Sequence, residues 1–130
     1  MTTPHHLFGK KIATVATALF AALALLFAVT ACTSAQKIDM TKVTAVVDVR
    51  TPDEFAAGHL AGAVNIDVEG ADFAGAVSAL DKAGNYVLYC HSGRRAGIAL
   101  DTMTGLGFKN LTNAGGIDAA SAATGVAPAW

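Results

Sequence analysis

An apolar run that ends on a cysteine constrains the fold of this chain more than any other stretch. The run Tyr86–Tyr89 is followed by Cys90 and then by a short polar segment, His91–Arg95. A short apolar run with polar flanks is typical of a buried strand. Four apolar residues then recur at helical spacing and predict a helix over 96–106: Ala96, Ala99, Met103 and Leu106. Cys90 is therefore expected in a turn between a strand and a helix.

The predicted turn favours a reactive form of this cysteine. The first N–H groups of a helix have no partner within the helix, and they attract an anion placed beside them. Arg94 and Arg95 add positive charge to the same segment. Both effects are expected to lower the pKa of the Cys90 thiol and to favour the thiolate. The alternative is an inert cysteine buried in the core, but the polar segment that follows favours a nucleophile.

The first part of the chain has the pattern of an export signal. Lys10 and Lys11 precede an uncharged apolar stretch, Ile12–Val29. The stretch ends at Val29-Thr30-Ala31-Cys32, which resembles the bacterial lipobox, in which the cysteine is lipidated and becomes the first residue of the mature protein. In the alternative, Ile12–Ala31 remains as a membrane anchor, because about 20 apolar residues span a bilayer. Both interpretations predict an extracytoplasmic protein anchored to the bacterial cell membrane.

The chain therefore divides into three parts: a lipoprotein signal peptide or N-terminal membrane anchor over 1–31, a tether over 32–42 and one domain over 43–130. The whole chain has a net charge of −1. Without Lys10 and Lys11, seven basic residues remain against ten acidic ones, a balance that argues against a nucleic-acid partner. If Cys32 carries a lipid, Cys90 is the only free thiol and no disulfide framework can form. The four histidines lack the spacing of metal ligands, so we expect no metal and no cofactor.

Strands and helices are predicted to alternate within the domain. The strands are expected over 43–49, 62–66, 86–89 and 108–111. The helices are expected between Thr51 and Gly58, over 71–80 and over 96–106, with a weak final helix capped by Asp118. Such alternation predicts an α/β domain with a mostly parallel sheet of four to five strands and helices on both faces.

The first of these helices has the clearest start signal. Thr51, Pro52 and Glu54 stand where a capping residue, a first helical residue and the partner of a capping box belong. Three weaker predictions concern segments without such signals. They are an edge strand beginning near Ile38 and Met40, a turn over Asn113–Gly116 and a tail over Gly125–Trp130.

Four blocks of sequence together resemble the rhodanese family of sulfurtransferases in its single-domain form: Val47–Phe55, Gly58–Ile66, Tyr89–Arg95 and Gly107–Ile117. The blocks have the order and the approximate intervals of that family. The resemblance implies a rhodanese-like fold and a persulfide cycle. In that cycle Cys90 takes the outer sulfur of an anionic donor such as thiosulfate and passes it to a thiophilic acceptor such as cyanide or another thiol.

The resemblance also assigns roles within the loop. The implied substrate-binding residues are His91, Ser92, Gly93, Arg94 and Arg95. Among them, Arg95 matches the position that closes the loop, and Arg94 and His91 are expected to face the donor. The spacing Cys-x4-Arg is that of the rhodanese loop, whereas the related dual-specificity phosphatases use Cys-x5-Arg, which is longer by one residue and admits a phosphate. The loop length therefore favours sulfur over phosphorus.

Three charged residues outside the loop are interpreted as structural support: Asp48, Arg50 and Glu54. We expect Arg50 to pair with Glu54 or Asp53, and Asp48 to fasten neighbouring loops. His59 is interpreted as a turn residue. The chain departs from the family at Ala96, where a serine is frequent, and at Ala120, where a tryptophan is common.

Two hypotheses from different classes follow. The first is an anchored enzyme that transfers sulfur with turnover. The second is a tethered sulfur carrier or sensing module that takes up sulfur without releasing product quickly. A cysteine-dependent phosphatase is the remaining enzyme alternative.

Overall fold

The computed structural model describes residues 36–130. The predicted signal peptide, its alternative as an anchor and Cys32 lie outside these residues. Between residues 36 and 130, no helix is both long and apolar enough to cross a membrane.

The described part of the chain contains six strands, four α-helices and one short 3-10 turn. The strands are β1 (Ala45–Asp48), β2 (His59–Leu60), β3 (Val64–Asn65), β4 (Asn85–Cys90), β5 (Asn110–Gly116) and β6 (Pro128–Ala129). The helices are α1 (Pro52–Ala57), α2 (Phe73–Ser78), α3 (Arg94–Gly105) and α4 (Ile117–Thr124).

Four of the strands form one parallel sheet in the order β3-β1-β4-β5. Strand β4, which ends on Cys90, therefore lies between β1 and β5. Its residue Leu88 pairs with Val47 of β1 on one side and with Asn113 of β5 on the other. This confirms the predicted α/β fold and the predicted central strand.

Side chains of β4 alternate between two apolar clusters, as the period of a strand requires. Leu88 and Cys90 point into the cluster that contains Phe73 of α2 and Met103 of α3. Val87 and Tyr89 point into the other cluster, which contains Leu60 of β2 and Ala120 of α4. The sheet thus has helices on both faces. Ala120 is fully buried and belongs to the same cluster as Tyr89.

The start of α1 has the geometry that its sequence predicts. The N–H of Glu54 donates to the Thr51 hydroxyl at 3.3 Å, and the N–H of Thr51 donates to the Glu54 carboxylate at 3.2 Å. Pro52 occupies the first helical position. The capping box is therefore confirmed, and it fixes where the chain turns after β1.

The predicted turn over Asn113–Gly116 is wrong, because these residues complete β5. Asn113 lies opposite Leu88, and Gly116 lies opposite Cys90 after a register shift. The irregularity explains the glycines, since Gly115 has a φ of 83°. The predicted cap is also wrong: Gly116 is the N-cap of α4, and Asp118 lies in its first turn.

Two predictions about the ends of the domain are also wrong. Met40–Lys42 forms a 3-10 turn rather than an edge strand, and Ile38 and Met40 pack against the cluster around Tyr89. The predicted tail contains β6, which pairs antiparallel with β2. The two errors have different causes: the 3-10 turn has a local cap, since the N–H of Thr41 donates to the Asp39 carboxylate at 3.1 Å, whereas β6 is held by its pairing with β2, far away in the sequence.

Candidate active site

Cys90 lies at the carboxyl end of the central strand, directly before the loop that leads into α3. Only 1% of the surface of Cys90 is exposed to solvent. The loop itself is short, because β4 ends at Cys90 and α3 begins at Arg94. The sulfur therefore forms the floor of a cradle whose walls are the loop and the first turn of the helix.

Backbone N–H groups of this cradle point at the sulfur. The N–H of Gly93 donates to Cys90 Sγ at 2.9 Å. Burial of the thiol raises its pKa, but the N–H groups of Ala96, Ser92, Gly93 and Arg95 together outweigh burial, so that the pKa of Cys90 lies below its ordinary value. The loop thus favours a thiolate, as its sequence predicts.

Glycine is needed at position 93 for this geometry. Gly93 has a φ of 93°, in the left-handed region that side chains disfavour. A Cβ at this position would also lie 3.0 Å from the Cα of Gly115 in β5. Helix α3 has no side chain capping its first N–H groups, and this leaves them free to face the sulfur.

Arg95 is held by two carboxylates. Its guanidinium donates to both oxygens of Glu54, at 2.7 and 2.8 Å, and to Glu69 at 3.2 Å. These pairs raise the pKa of Arg95 above its ordinary value. The bond from Arg95, followed by the bonds from Thr51, lowers the pKa of Glu54 to about 2 against the opposing effect of burial. Arg95 therefore ties the loop to α1.

The other predicted loop side chains lie at the surface. His91, Ser92 and Arg94 are exposed, whereas Gly93 is partly buried. The structure thus brings all the predicted loop residues to the carboxyl end of β4. It also separates the two arginines by environment: Arg95 is bound within the protein and Arg94 faces solvent.

Asp48 and Arg50 form a buried pair beneath the turn after β1. The Arg50 guanidinium donates to both oxygens of Asp48, at 2.6 to 3.0 Å, and to the carbonyl oxygen of Gly58 at 2.6 Å. The bond to Asp48 raises the pKa of Arg50. The predicted pairing of Arg50 with Glu54 or Asp53 is wrong, because Arg50 and Asp48 are both buried and bind each other, whereas Glu54 binds Arg95 and Asp53 is exposed.

His59 begins β2 rather than lying in a turn, so the interpretation of it as a turn residue is wrong. Its ring stacks on Phe55 with centroids 3.7 Å apart, and its Nδ1 lies 2.9 Å from the Phe55 carbonyl oxygen. These contacts hold the end of α1 against β2.

Two residues have a supporting role that the sequence did not predict. Tyr89 accepts a hydrogen bond from the N–H of Leu60 at 3.0 Å, and burial raises the pKa of its phenol to about 12. Asn65 donates to the carbonyl oxygens of Asp48 and Arg50. Each places a polar group within a predicted strand, and such a group must find a hydrogen-bond partner when it is buried. This pattern could have identified both as residues that bind backbone groups.

No group of three or more histidine, cysteine, aspartate or glutamate side chains is arranged to hold a metal ion within residues 36–130. The chemistry that this arrangement supports is nucleophilic attack by a sulfur whose negative charge is stabilised by backbone dipoles.

Comparison with protein families gives one matching model, the rhodanese-like domain, over residues 32–123. Among curated relatives, the chain is 32% identical over 71 residues to thiosulfate sulfurtransferase PspE of Escherichia coli (strain K12), an alignment that covers 55% of this chain and 68% of that relative. Across three curated relatives, the aligned region covers between 41% and 68% of the relative's own length.

Solved structures show the same fold. A structure described as a rhodanese with anions from E. coli has a TM-score of 0.51 and 31% identity, covering 58% of this chain and 88% of that one. The rhodanese-like domain of the Alr3790 protein from Anabaena sp. has a TM-score of 0.59 at 24% identity, covering 68% of this chain and 82% of that one. The second likeness concerns the fold alone.

Proposed function

The chain belongs to the family of rhodanese-like domains, and from this membership we propose that it is a sulfurtransferase that moves sulfane sulfur from an anionic donor to a thiophilic acceptor. Cys90 carries the sulfur as a persulfide. The observation that supports this most directly is the position of Cys90 at a strand end, with the Gly93 N–H 2.9 Å from its sulfur. Relatives named thiosulfate sulfurtransferase support thiosulfate as a donor.

In the first half of the cycle, the Cys90 thiolate attacks the outer sulfur of thiosulfate. A new S–S bond forms to Cys90, the S–S bond within thiosulfate breaks, and its electron pair leaves with sulfite. Negative charge accumulates on the sulfite and on the terminal sulfur of the persulfide. In this proposal the N–H groups of the loop stabilise that charge, and the exposed Arg94 adds positive charge to the same loop.

In the second half, cyanide or a thiolate attacks the terminal sulfur of the persulfide. The S–S bond to Cys90 breaks and its electron pair returns to the Cys90 sulfur. With cyanide as acceptor the product is thiocyanate. The same N–H groups stabilise the regenerated thiolate, so one cradle serves both steps.

The six-residue length of the loop, from Cys90 to Arg95, favours sulfur transfer over phosphate hydrolysis. The loop has no residue beyond the four between the cysteine and the arginine to widen the cradle. Its floor, Cys90, is almost wholly buried. Only the outer atom of a bound donor needs to reach the sulfur in thiosulfate chemistry, and this suits a narrow opening.

We further propose that Cys32 is the lipid attachment site and that the domain acts outside the cytoplasm, at the bacterial membrane. The support for this is the basic and apolar pattern of residues 1–31 and the small residues before Cys32. The donor and acceptor are then small sulfur compounds or thiols of that compartment.

The experiment that tests the activity compares two cysteine variants of the full chain. Thiocyanate formation from thiosulfate and cyanide is measured for the native chain, for Cys90→Ser and for Cys32→Ser. We expect Cys90→Ser to abolish turnover and Cys32→Ser to retain it, since both changes replace a thiol by a hydroxyl but only one removes the nucleophile. Undiminished turnover in Cys90→Ser would exclude the mechanism.

A second measurement separates the enzyme from the carrier. After incubation with thiosulfate alone, the peptide that contains Cys90 should gain the mass of one sulfur atom, and cyanide should remove it rapidly. Stable uptake of one sulfur without turnover in the presence of cyanide would instead support the tethered carrier. Hydrolysis of an aryl phosphate without sulfur uptake would support the phosphatase.

A further inference from the structure

Asn113, near the end of β5, connects that strand to the loop around Cys90. Its side-chain N–H donates to the carbonyl oxygen of Gly93 at 3.0 Å. Its side-chain oxygen accepts from the N–H of Gly115 at 2.9 Å. One amide group therefore bridges the loop and the strand beside it.

These two partners define the chemistry that position 113 requires. Gly93 offers a carbonyl oxygen and Gly115 offers an N–H, so the bridging group must donate on one side and accept on the other. A side-chain amide does both at once. The same two partners also fix which way the amide points.

The carbonyl oxygen of Gly93 accepts a hydrogen bond from the Asn113 side chain and from no other side chain among residues 36–130. Gly93 has no side chain, and α3 has no side-chain cap. Its carbonyl oxygen accepts one helical bond, from the N–H of Gly97 at 3.0 Å, and the bond from Asn113 is the second. A glycine at a φ of 93° has other conformations within reach, so contacts of its carbonyl oxygen decide which one is populated.

The neighbouring strand lies close enough to make this bridge effective. A Cβ at Gly93 would be 3.0 Å from the Cα of Gly115, and a Cβ at Gly97 would be 3.6 Å from the Asn113 amide nitrogen. The backbones of Gly93 and Gly115 are therefore in close contact. A small shift of Gly93 away from β5 would carry its N–H away from the sulfur, 2.9 Å distant.

We propose that Asn113 is a positioning residue for the sulfur-transfer reaction: it holds Gly93 so that the Gly93 N–H stays directed at Cys90 Sγ. The proposal rests on the proposed function for its effect on turnover, but its effect on the thiol does not depend on any substrate. Asn113 acts through Gly93, since its side-chain hydrogen bonds go to Gly93 and Gly115 rather than to the sulfur.

The test measures the reactivity of Cys90 in the full chain. Iodoacetamide alkylates thiolates, and mass spectrometry of the peptide that contains Cys90 reports that residue separately from Cys32. We expect Asn113→Ala and Asn113→Ser to slow alkylation at pH 7 by roughly fivefold, the factor that corresponds to one hydrogen bond of ordinary strength. The pH at half-maximal rate should rise by about 0.7 unit, the logarithm of that fivefold factor, because the thiolate is less stabilised.

Asn110 provides a matched control in the same strand. Its amide donates to the carbonyl oxygen of Ala83 at 3.2 Å, at the end of β5 far from Cys90 in the strand. Asn110→Ala removes the same kind of bond and should leave the alkylation profile unchanged. Thermal unfolding of all variants identifies any that are not folded, and Asn113→Ser retains a polar side chain if Asn113→Ala is unstable.

The outcomes separate this inference from the proposed function. An unchanged alkylation profile in the Asn113 variants, or an equal change in Asn110→Ala, would overturn the positioning role whatever the turnover. A shifted profile in a chain that forms no thiocyanate would support the positioning role and count against the proposed activity. If both hold, the kcat/KM for thiosulfate should fall with the alkylation rate.

Discussion

Arg94 and Arg95 are adjacent in the sequence but differ in what they contact. The Arg95 side chain is 14% exposed and binds Glu54 and Glu69. Arg94 is exposed at the edge of the loop. The first therefore supports the shape of the cradle, and the second is available to an incoming anion.

This difference predicts unequal effects on turnover. Arg95→Ala should lower kcat/KM for thiosulfate about tenfold more than Arg94→Ala does. The reason is that this change leaves Glu54 without its bidentate partner and releases the loop from α1. A change of about tenfold is expected for the loss of a bond worth about 1.4 kcal/mol. Arg94→Ala should act mainly on KM. Steady-state kinetics of the two variants, each with a lysine variant as a charge-preserving control, measures the ratio.

The lysine variants sharpen the comparison. Arg95→Lys keeps the charge but cannot bind both oxygens of Glu54 in parallel, so it should remain impaired. Arg94→Lys should recover most of the native KM, since only its charge is needed. Equal losses for the two alanine variants would show that the assignment of roles is wrong.

At this scale the sequence predicts chemistry better than pairing. Cys90 and the capping role of Glu54 follow from neighbouring residues, and the structure has both where the sequence places them. The partners of Arg50 and Arg95 do not follow in the same way. Arg95 binds a carboxylate 41 positions away, and Arg50 binds Asp48 because the fold buries both. Contacts between residues far apart in the sequence, and burial, are properties of the completed fold.

Glu54 connects two elements, since it caps α1 and binds the first turn of α3. Its carboxylate accepts from Thr51 at the start of α1 and from Arg95 in α3. The same side chain thus satisfies a local requirement of one helix and a distant requirement of another. A change at this residue should loosen the contact between the two helices rather than unfold either one.

The pKa of Glu54 sets the pH range in which this connection is lost. Its folded-state pKa of about 2 lies below the ordinary value of 4.5, so its contribution is fully present above about pH 4.5. The contribution falls as the pH drops from there through 2, because the unfolded chain takes up the proton first. We expect the native chain to exceed Glu54→Gln in free energy of unfolding by about 1 kcal/mol at pH 7, with the difference nearly gone at about pH 2.

Urea unfolding of the two proteins at several pH values measures this difference. The pH dependence that the other carboxylates contribute to the free energy of unfolding cancels in this comparison, because both proteins carry them. Asp53→Asn, in the same first turn of α1, serves as the control and should show a smaller difference at pH 7. A constant difference between native chain and Glu54→Gln from pH 7 to pH 2 would contradict the assigned ion pair.

The elements themselves were predictable where a local signal exists. α1 has a capping box, and α3 has three fully buried residues at helical spacing, Ala96, Ala99 and Met103. β6 and the end of β5 have no such signal. β6 is a strand because β2 lies beside it, and Asn113–Gly116 continues β5 because Cys90 offers it a partner. Glycines that look like a turn in the sequence serve here as a bulge beside the loop.

At the scale of the whole molecule, the domain is expected to be anchored to a membrane surface. Within the part that the structure describes, residues 36–130, the chain folds around the four-stranded parallel sheet, with the Cys90 loop at the carboxyl end of its strand β4. The preceding segment carries the basic and apolar pattern of an export signal. We infer that the mature protein begins at Cys32 and that a lipid on this residue places the domain outside the cytoplasm.

The intact mass of the protein isolated from bacterial membranes tests this arrangement. We expect a species that lacks residues 1–31 and carries a diacylglyceryl group on Cys32, because a thioether at the first mature residue is what a lipobox produces. Two acyl chains are enough for stable anchoring, whereas one is not, so the native protein should remain with the membrane after a high-salt wash. Cys32→Ser should keep residues 1–31 and gain no lipid. A native protein of full mass in the membrane would instead show that Ile12–Ala31 stays as an anchor, and in both cases Cys90 would face the same compartment.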